Sequence, residues 1–325
     1  MNKVDRVGFI KLTEKLVSPE RVANLFKNAQ MLRKLPQHLQ KYIMKKGSKS
    51  EPFISFIVEP YSLFLAYEIL DEAQILSFLP KDYELVETSM FEGQPQKKSV
   101  IIGAFNVHTS VFWGNRVELY IIARNKRTNL ISWIIHEYES NTISYDPVRG
   151  FLLPSTEHSI LTTSFLGEVI LDVVSKESKN VLQINAQLNK EDMKPLNQEL
   201  WIDGNFSIDY SGEAKNVQTK PFGLIFDPEE MKEAIAISPD EVEIFSNTFL
   251  EGIISKRPFE VLCFPYAQHF YTSTIPMENS MKNKSDLEQK VVEINREHSP
   301  ESGCPGYCYT YACKNGCRLK DEEGK

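Results

Sequence analysis

Long hydrophobic runs are missing from this sequence. No apolar stretch among its 325 residues approaches the roughly 18–20 residues of a membrane span, and residues 1–16 lack the continuous apolar segment of a secretion signal. We therefore expect a soluble, cytoplasmic protein with no membrane partner. Positive charge is also scarce, because the net charge is −7 and the pI about 5.6. Since phosphate binding requires a basic surface, this balance argues against nucleic acid as the main partner.

The common catalytic motifs are missing as well. The sequence contains no G-x-G-x-x-G, no P-loop, no G-x-S-x-G and no H-E-x-x-H. His136-Glu137 is followed by Tyr138-Glu139, so the second histidine of a zinc protease is lacking. These absences disfavour nucleotide-dependent chemistry.

Three consecutive apolar segments form the centre of the sequence. Each is rich in β-branched residues and bounded by turn residues, as is typical of buried antiparallel strands. With 42% hydrophobic residues, the chain is rich enough in apolar side chains for a large core. We predict an α+β fold on a large antiparallel sheet or barrel. The central segments span residues 99–108, 117–124 and 130–138; further strands are predicted on each side of Pro60 and at 164–174, 181–188, 199–210 and 259–266.

Helical patterns flank these strands. Ser18-Pro19 supplies an N-cap and a first-turn proline before an amphipathic run, and Asp71–Leu79 and 285–296 show similar periodicity. We divide the chain into an N-terminal helical extension (1–50), a β domain (51–276), and a polar helix with a cysteine-rich tail (277–325). The extension either packs on the β domain or binds a partner.

The C-terminal tail holds four of the five cysteines, spaced C-x3-C-x4-C-x3-C. Four thiolates within such a short stretch suit zinc or an iron–sulfur cluster, although neither outer pair has the usual C-x2-C spacing. Reversible disulfides, reactive thiols and a tail without chemistry remain alternatives. The metal-ligand candidates are Cys304, Cys308, Cys313 and Cys317; Cys263, in an apolar strand, is predicted to be a core residue.

The central strands also carry polar candidates. His108, Glu118 and His136 lie in or beside neighbouring strands, where a histidine and a glutamate can act as an acid–base pair α to a carbonyl. The same three residues are also a possible two-histidine, one-carboxylate metal site. Alternatively, the histidines are structural residues at strand ends. Glu118 then faces solvent or pairs with Arg116 or Arg124.

The order of these elements resembles the acetoacetate decarboxylase-like superfamily over roughly residues 50–270. A helix ending in Leu79-Pro80 precedes the central strands, and His108-Thr109-Ser110 leads to a glutamate at Glu118. The resemblance implies a barrel or cone of closed β-structure, with a largely apolar cavity for a small organic molecule. It also implies acid–base function for Glu118 and a possible homo-oligomer. The substrate-binding positions that it suggests are Arg149, Phe151 and Leu153.

The departures from that family restrict the chemistry. Decarboxylation in the family requires a lysine that forms a Schiff base, and the matching position here is Leu153, or Leu152 after a slip of one residue. Gly103 stands where a second glutamate is expected, and Phe53–Leu70 contains no arginine. We therefore predict a lyase-like enzyme that acts on a small carbonyl or carboxylate compound by acid–base chemistry without the lysine. The alternatives are a non-catalytic protein that binds a small hydrophobic ligand, with Leu153 widening the pocket, and a metal- or redox-linked protein that uses the tail cysteines.

Overall fold

The structure is a computed structural model, and it describes residues 5–47, 53–109, 112–146, 150–188, 193–211, 221–273 and 279–297. Most of the elements are strands. The helices are α1 (Arg6–Leu16), α2 (Pro19–Leu32), α3 (Gln37–Gly47), α4 (Glu72–Phe78) and α5 (Lys284–Glu297). The strands are β1 (Phe53–Val58), β2 (Ser62–Glu68), β3 (Tyr83–Leu85), β4 (Glu87–Thr88), β5 (Lys97–Thr109), β6 (Trp113–Asn125), β7 (Ile131–Ser140), β8 (Ser144–Asp146), β9 (Gly150–Leu152), β10 (Thr156–Thr163), β11 (Glu168–Ser175), β12 (Val181–Gln187), β13 (Met193–Pro195), β14 (Ile208–Tyr210), β15 (Ile225–Phe226), β16 (Glu233–Ile237), β17 (Val242–Asn247), β18 (Glu260–Phe264) and β19 (Gln268–Ser273).

The large sheet has three arms that meet at β5. One edge of β5 pairs with β2 near its start and with β1 near its end, because the chain turns at Pro60 between those two strands. The other edge pairs with β6 along nine consecutive residue pairs. From these contacts the sheet extends through β18, β16 and β13, through β19 and β15, and through β6, β7 and β14. The central strands and the division at Pro60 are thus confirmed.

The sheet is not closed into a barrel, which corrects the prediction of a closed β-structure. The prediction counted the strands at 164–174 and 181–188 as part of the large sheet. In the structure β10, β11, β12 and β17 pair with one another in a separate antiparallel sheet. Because these strands pack over one face of the large sheet instead of extending it, the described part of the fold is layered and mostly β.

Two hydrophobic cores lie on the two faces of the large sheet. The first core lies on the face of the large sheet that points away from the smaller sheet, and it contains Trp133 and Trp201. The second core fills the space between the two sheets, where alternate residues such as Leu65, Leu119 and Leu171 are buried. Cys263 is fully buried in the second core, as predicted. Strand alternation decides which core each residue enters.

Helices at both ends of the described chain cover the first core. Phe9 of α1 is fully buried, with its ring centroid 5.1 Å from that of Tyr271. On α5 the predicted apolar face is confirmed, because Leu287, Val291 and Ile294 are all buried in the same core. None of the helices in these described ranges is long and apolar enough to cross a membrane.

The strand predicted at 199–210 is wrong over most of its length. Glu199–Asp203 forms one π-helical turn, a 3-10 turn follows at Gly204–Phe206, and only Ile208–Tyr210 is a strand. The physical reason is that Leu200, Trp201 and Ile202 are all buried in the first core, where the Leu200 carbonyl accepts the Trp133 indole N–H at 3.0 Å. The Trp201 indole N–H donates to the Met90 carbonyl at 3.0 Å and fixes this turn on the first core.

Asp203, at the end of that turn, makes the stability depend on pH. Burial, with a smaller contribution from Glu199, raises the pKa of Asp203 to about 6. A carboxyl whose pKa is raised on folding stabilises the protein fully below its unfolded pKa, and this stabilisation is lost as the pH rises through about 6. Because Asp203 is only partly buried, we expect Asp203→Asn to raise the free energy of unfolding by about 1–2 kcal/mol at pH 8 and to change it little at pH 4, measured by urea unfolding. Asp240→Asn, at a 95% exposed side chain, is the control and should show no such dependence. A pH-independent effect of Asp203→Asn would contradict this account.

Candidate functional site

Glu118 lies in the middle of β6, a central strand that pairs with β5 on one edge and with β7 on the other. Arg116, Glu118 and Tyr120 alternate along β6, so their side chains share one face. That face belongs to the first core, which contains Tyr120. We call Arg116, Glu118 and Tyr120 the Glu118 cluster. Only 14% of the Arg116 side chain and 8% of the Glu118 side chain are exposed, so both charges lie largely out of water.

Neighbouring strands leave room for this cluster. Glu118 pairs with Gly103 of β5 on one side and with Tyr138 of β7 on the other. A Cβ atom at position 103 would lie 2.7 Å from the Phe64 ring and 3.2 Å from the Tyr120 ring. The glycine therefore allows both aromatic rings to lie across β5 beside the carboxylate. The residue that departs from the family pattern is thus directly opposite Glu118.

Both carboxylate oxygens of Glu118 have partners within the cluster. The Arg116 Nε–H donates to Oε1, and the Tyr120 hydroxyl donates to Oε2. The guanidinium carbon of Arg116 lies 4.1 Å from the centroid of the Tyr138 ring, a cation–π contact. Of the alternatives that the sequence left open for Glu118, the pair with Arg116 is the one observed. Arg124 pairs with Glu199 instead.

The electrostatics of the cluster keep Arg116 charged and Tyr120 neutral. Burial alone lowers the pKa of Arg116, but the Glu118 carboxylate, with Tyr138 and Tyr210, raises it above its usual range. Burial, reinforced by the Glu118 carboxylate, raises the pKa of Tyr120 well above its usual value. At neutral pH the cluster therefore contains a guanidinium cation and a phenol that acts as a hydrogen-bond donor.

Arg116 retains donors for a ligand. Its Nη1 and Nη2 groups have no hydrogen-bond partner among the residues that the structure describes, where only Nε is engaged. A planar guanidinium can hold a carboxylate through two parallel hydrogen bonds. An arginine with unengaged donors beside a buried glutamate is thus a candidate site for a small anion.

The two histidines do not join Glu118. His108 lies five residues from Gly103 on β5, and alternation therefore places it on the opposite face of the sheet. Its Nε2 is 2.6 Å from Glu59, and its ring stacks on Trp113.

His136 occupies a bulge in β7, stacks on Phe78 beside the second core and lies 2.9 Å from the Ser211 hydroxyl. Burial lowers the pKa of His136. Among the described residues no group of three or more His, Cys, Asp or Glu side chains is arranged to hold a metal ion.

The predicted substrate-binding positions are separate from the central strands. Phe151 lies on β9, which forms a two-stranded sheet with β8, and its backbone N–H donates to the Gln40 side chain of α3. Leu153 follows β9 and is 57% exposed. Arg149 and the four tail cysteines, Cys304, Cys308, Cys313 and Cys317, lie outside the described residues.

The sequence interpretation missed the ligand-binding potential of Arg116 and the parts played by Tyr120 and Tyr138. A usable signal was present, because Arg116, Glu118 and Tyr120 occur at every second position and the residues between them, Val117 and Leu119, are apolar. Alternation assigns such residues to one face, and a buried carboxylate needs nearby donors. The position of Tyr138 opposite Glu118 depends on the bulge in β7, and no sequence pattern predicted that bulge.

Among known proteins, this chain is similar to solved structures. No family model matches the sequence, and no curated protein matches it. Among solved structures, an acetoacetate decarboxylase from Legionella pneumophila is similar, with a TM-score of 0.41 and 12% identity over 67% of this chain and 84% of that one. A second acetoacetate decarboxylase has a TM-score of 0.39 and 9% identity over 70% of this chain and 91% of that one. Both carry the name of the family that the sequence resembles, and the similarity concerns the fold alone, not activity.

Proposed function

We propose that this protein acts on a small carbonyl compound that carries a carboxylate, by acid–base chemistry at the Glu118 cluster and without a Schiff-base lysine. The observation that carries the proposal is the burial of Arg116 and Glu118 together on an apolar face. A buried ion pair contributes little net stability compared with well-packed apolar residues, because desolvation opposes the attraction. Such clusters of buried, interacting ionisable groups are therefore candidates for functional sites.

Each residue of the cluster has a distinct role in this proposal. The Nη groups of Arg116 hold the substrate carboxylate, and their charge stabilises the negative charge that develops on the carbonyl oxygen. Glu118 removes the proton from the carbon α to the carbonyl and later returns it. Tyr120 orients the carboxylate by its hydrogen bond and is a positioning residue.

The proposal is tested by exchange of hydrogen with solvent at the carbon next to the substrate carbonyl, here called the α-carbon. Wild-type protein in deuterated buffer should incorporate deuterium into small 2-oxo and 3-oxo acids, followed by proton NMR. Glu118→Gln should slow this exchange by about 10²–10⁴-fold, because the general base is removed while the shape is kept. Binding of the same acids should remain, since Arg116 is unchanged.

Glu137→Gln is a matched control, because Glu137 pairs with Leu119 and projects from the other face of the sheet. This variant should exchange at the wild-type rate. Equal exchange by wild type and Glu118→Gln, or equal loss in both glutamine variants, would contradict the proposed role of Glu118.

One observation favours a second function, a non-catalytic binding protein. Both oxygens of Glu118 already accept a hydrogen bond, from Arg116 and Tyr120, so only one lone pair on each oxygen is left to take a proton. If the cluster serves binding alone, small carboxylates will bind to wild type and bind weakly to Arg116→Met. The wild-type protein will then show no α-carbon exchange.

The proposed metal or redox function of the tail has its own test. Elemental analysis of the anaerobically purified protein and of a variant that ends at Ser302 compares zinc and iron content. Stoichiometric metal that is lost with Cys304, Cys308, Cys313 and Cys317 would support a metal site. A metal-free full-length protein would contradict it.

A further inference from the structure

Positive charge is concentrated in one segment of this acidic protein. Between Glu20 and Glu51 the sequence has no acidic residue, in a chain whose net charge is −7. The segment covers nearly all of α2 and the whole of α3. Its basic residues are Arg21, Lys27, Arg33, Lys34, Lys41, Lys45, Lys46 and Lys49.

One side of α3 is attached to the rest of the molecule. The Gln40 side chain is buried, and its amide nitrogen donates to the Leu35 carbonyl at 2.8 Å. Its oxygen accepts the backbone N–H of Phe151 at 3.0 Å. Ile43 and Met44 lie on the same side and are partly buried. Within the described residues, the opposite side of α3 is the one that is exposed.

The open side combines apolar and cationic side chains. Leu39 is 40% exposed and Tyr42 is 59% exposed; they are three residues apart and share a helix face with Lys46. The Lys46 Nζ lies 5.7 Å from the centroid of the Tyr42 ring. Lys41 is exposed at the other edge of the open side, about 100° around the helix from Tyr42, and Leu35 is exposed just before the helix. Lys34, Lys41 and Lys46 make no salt bridge within the ranges that the structure describes.

We propose that this side of α3 docks on an anionic membrane surface. A basic helix with exposed apolar and aromatic side chains lies in the plane of a lipid interface, with its cations near the anionic headgroups. A helix can bind a flat lipid surface through one of its faces. The face of α3 opposite Gln40 is exposed and can make this contact. A nucleic acid would use the cations, but it would leave the exposed aliphatic side chains Leu35 and Leu39 without a role.

This inference revises the expectation of no membrane partner. That expectation depended on the absence of a membrane-spanning segment and of a secretion signal. Surface binding requires neither a span nor a basic protein, because the attraction acts within a Debye length of the lipid. The local charge of α2 and α3 is therefore the relevant quantity.

Vesicle cosedimentation of the full-length protein tests the proposal. We expect binding to vesicles of phosphatidylcholine with phosphatidylserine, little binding to phosphatidylcholine alone, and weaker binding as salt is raised. The triple variant Lys34→Gln, Lys41→Gln, Lys46→Gln should bind about 100-fold more weakly, at about fivefold for each lysine. The double variant Leu39→Ser, Tyr42→Ser should bind about tenfold more weakly.

A matched control carries Lys81→Gln, Lys194→Gln and Lys256→Gln, three exposed lysines outside the segment. This control has the same net charge as the triple variant and should bind like wild type. Equal weakening in both triple variants, or no binding by wild type, would overturn the proposal. Binding to single-stranded oligonucleotide but not to vesicles, with loss in the α3 variant, would also overturn it and indicate nucleic acid instead.

Discussion

Arg116→Met will lower the free energy of unfolding by about 3–5 kcal/mol, because it leaves the Glu118 carboxylate buried without its cation. The Glu118 side chain is only 8% exposed, so water replaces the lost guanidinium poorly. Tyr120 alone remains as a donor to that carboxylate. Chemical unfolding in urea, monitored by tryptophan fluorescence, measures the change; Trp133 lies in the same core and contacts Tyr120.

The double variant Arg116→Met, Glu118→Gln separates the charge effect from lost packing. With no charge left to bury, we expect it to be more stable than Arg116→Met alone by about 2 kcal/mol. Glutamine still accepts a hydrogen bond from Tyr120 and keeps the shape of the side chain. If the loss of unfolding free energy in the double variant equals the sum of the losses in the two single variants, Arg116 and Glu118 are not coupled, which would contradict this description of the cluster.

Phe9→Ala will destabilise the protein by about 3–5 kcal/mol, although residue 9 lies far from the central strands in sequence. Its ring is fully buried in the first core and packs beside Tyr271. Removing a buried aromatic ring loses its transfer free energy and leaves a cavity. The measurement is again urea unfolding at constant temperature.

Val7→Ala provides the control on the same helix. Val7 is 61% exposed, and its truncation should change the stability by less than about 0.5 kcal/mol. Equal effects of the two changes would mean that α1 does not pack on the first core. In that case the alternative of a partner-binding N-terminal extension would gain support.

The central strands could be predicted because their signal is local. The runs at 99–108, 117–124 and 130–138 carry enough consecutive apolar residues to identify buried strands, and the burial of Leu287, Val291 and Ile294 followed from helical spacing alone. Cys263 was placed in the core by its apolar neighbours. In each case the sequence window that decides the structure is as short as the element itself.

Sheet closure and site assembly depend on contacts that no local window contains. Whether β11 and β12 extend the large sheet or pack over it depends on pairing with β17, more than fifty residues later. The turn at Glu199–Asp203 is held on the first core by the hydrogen bond from the Trp201 indole to the Met90 carbonyl, a contact distant in sequence. The separation of His108 and His136 from Glu118 follows from alternation on β5 and a bulge in β7.

A crystal structure of the protein with a small 2-oxo acid is the most direct test of the proposed function. The proposal predicts the ligand carboxylate on Nη1 and Nη2 of Arg116, with the C–H carbon next to the ligand carbonyl facing a Glu118 oxygen. A ligand bound away from Arg116 and Glu118 would contradict it.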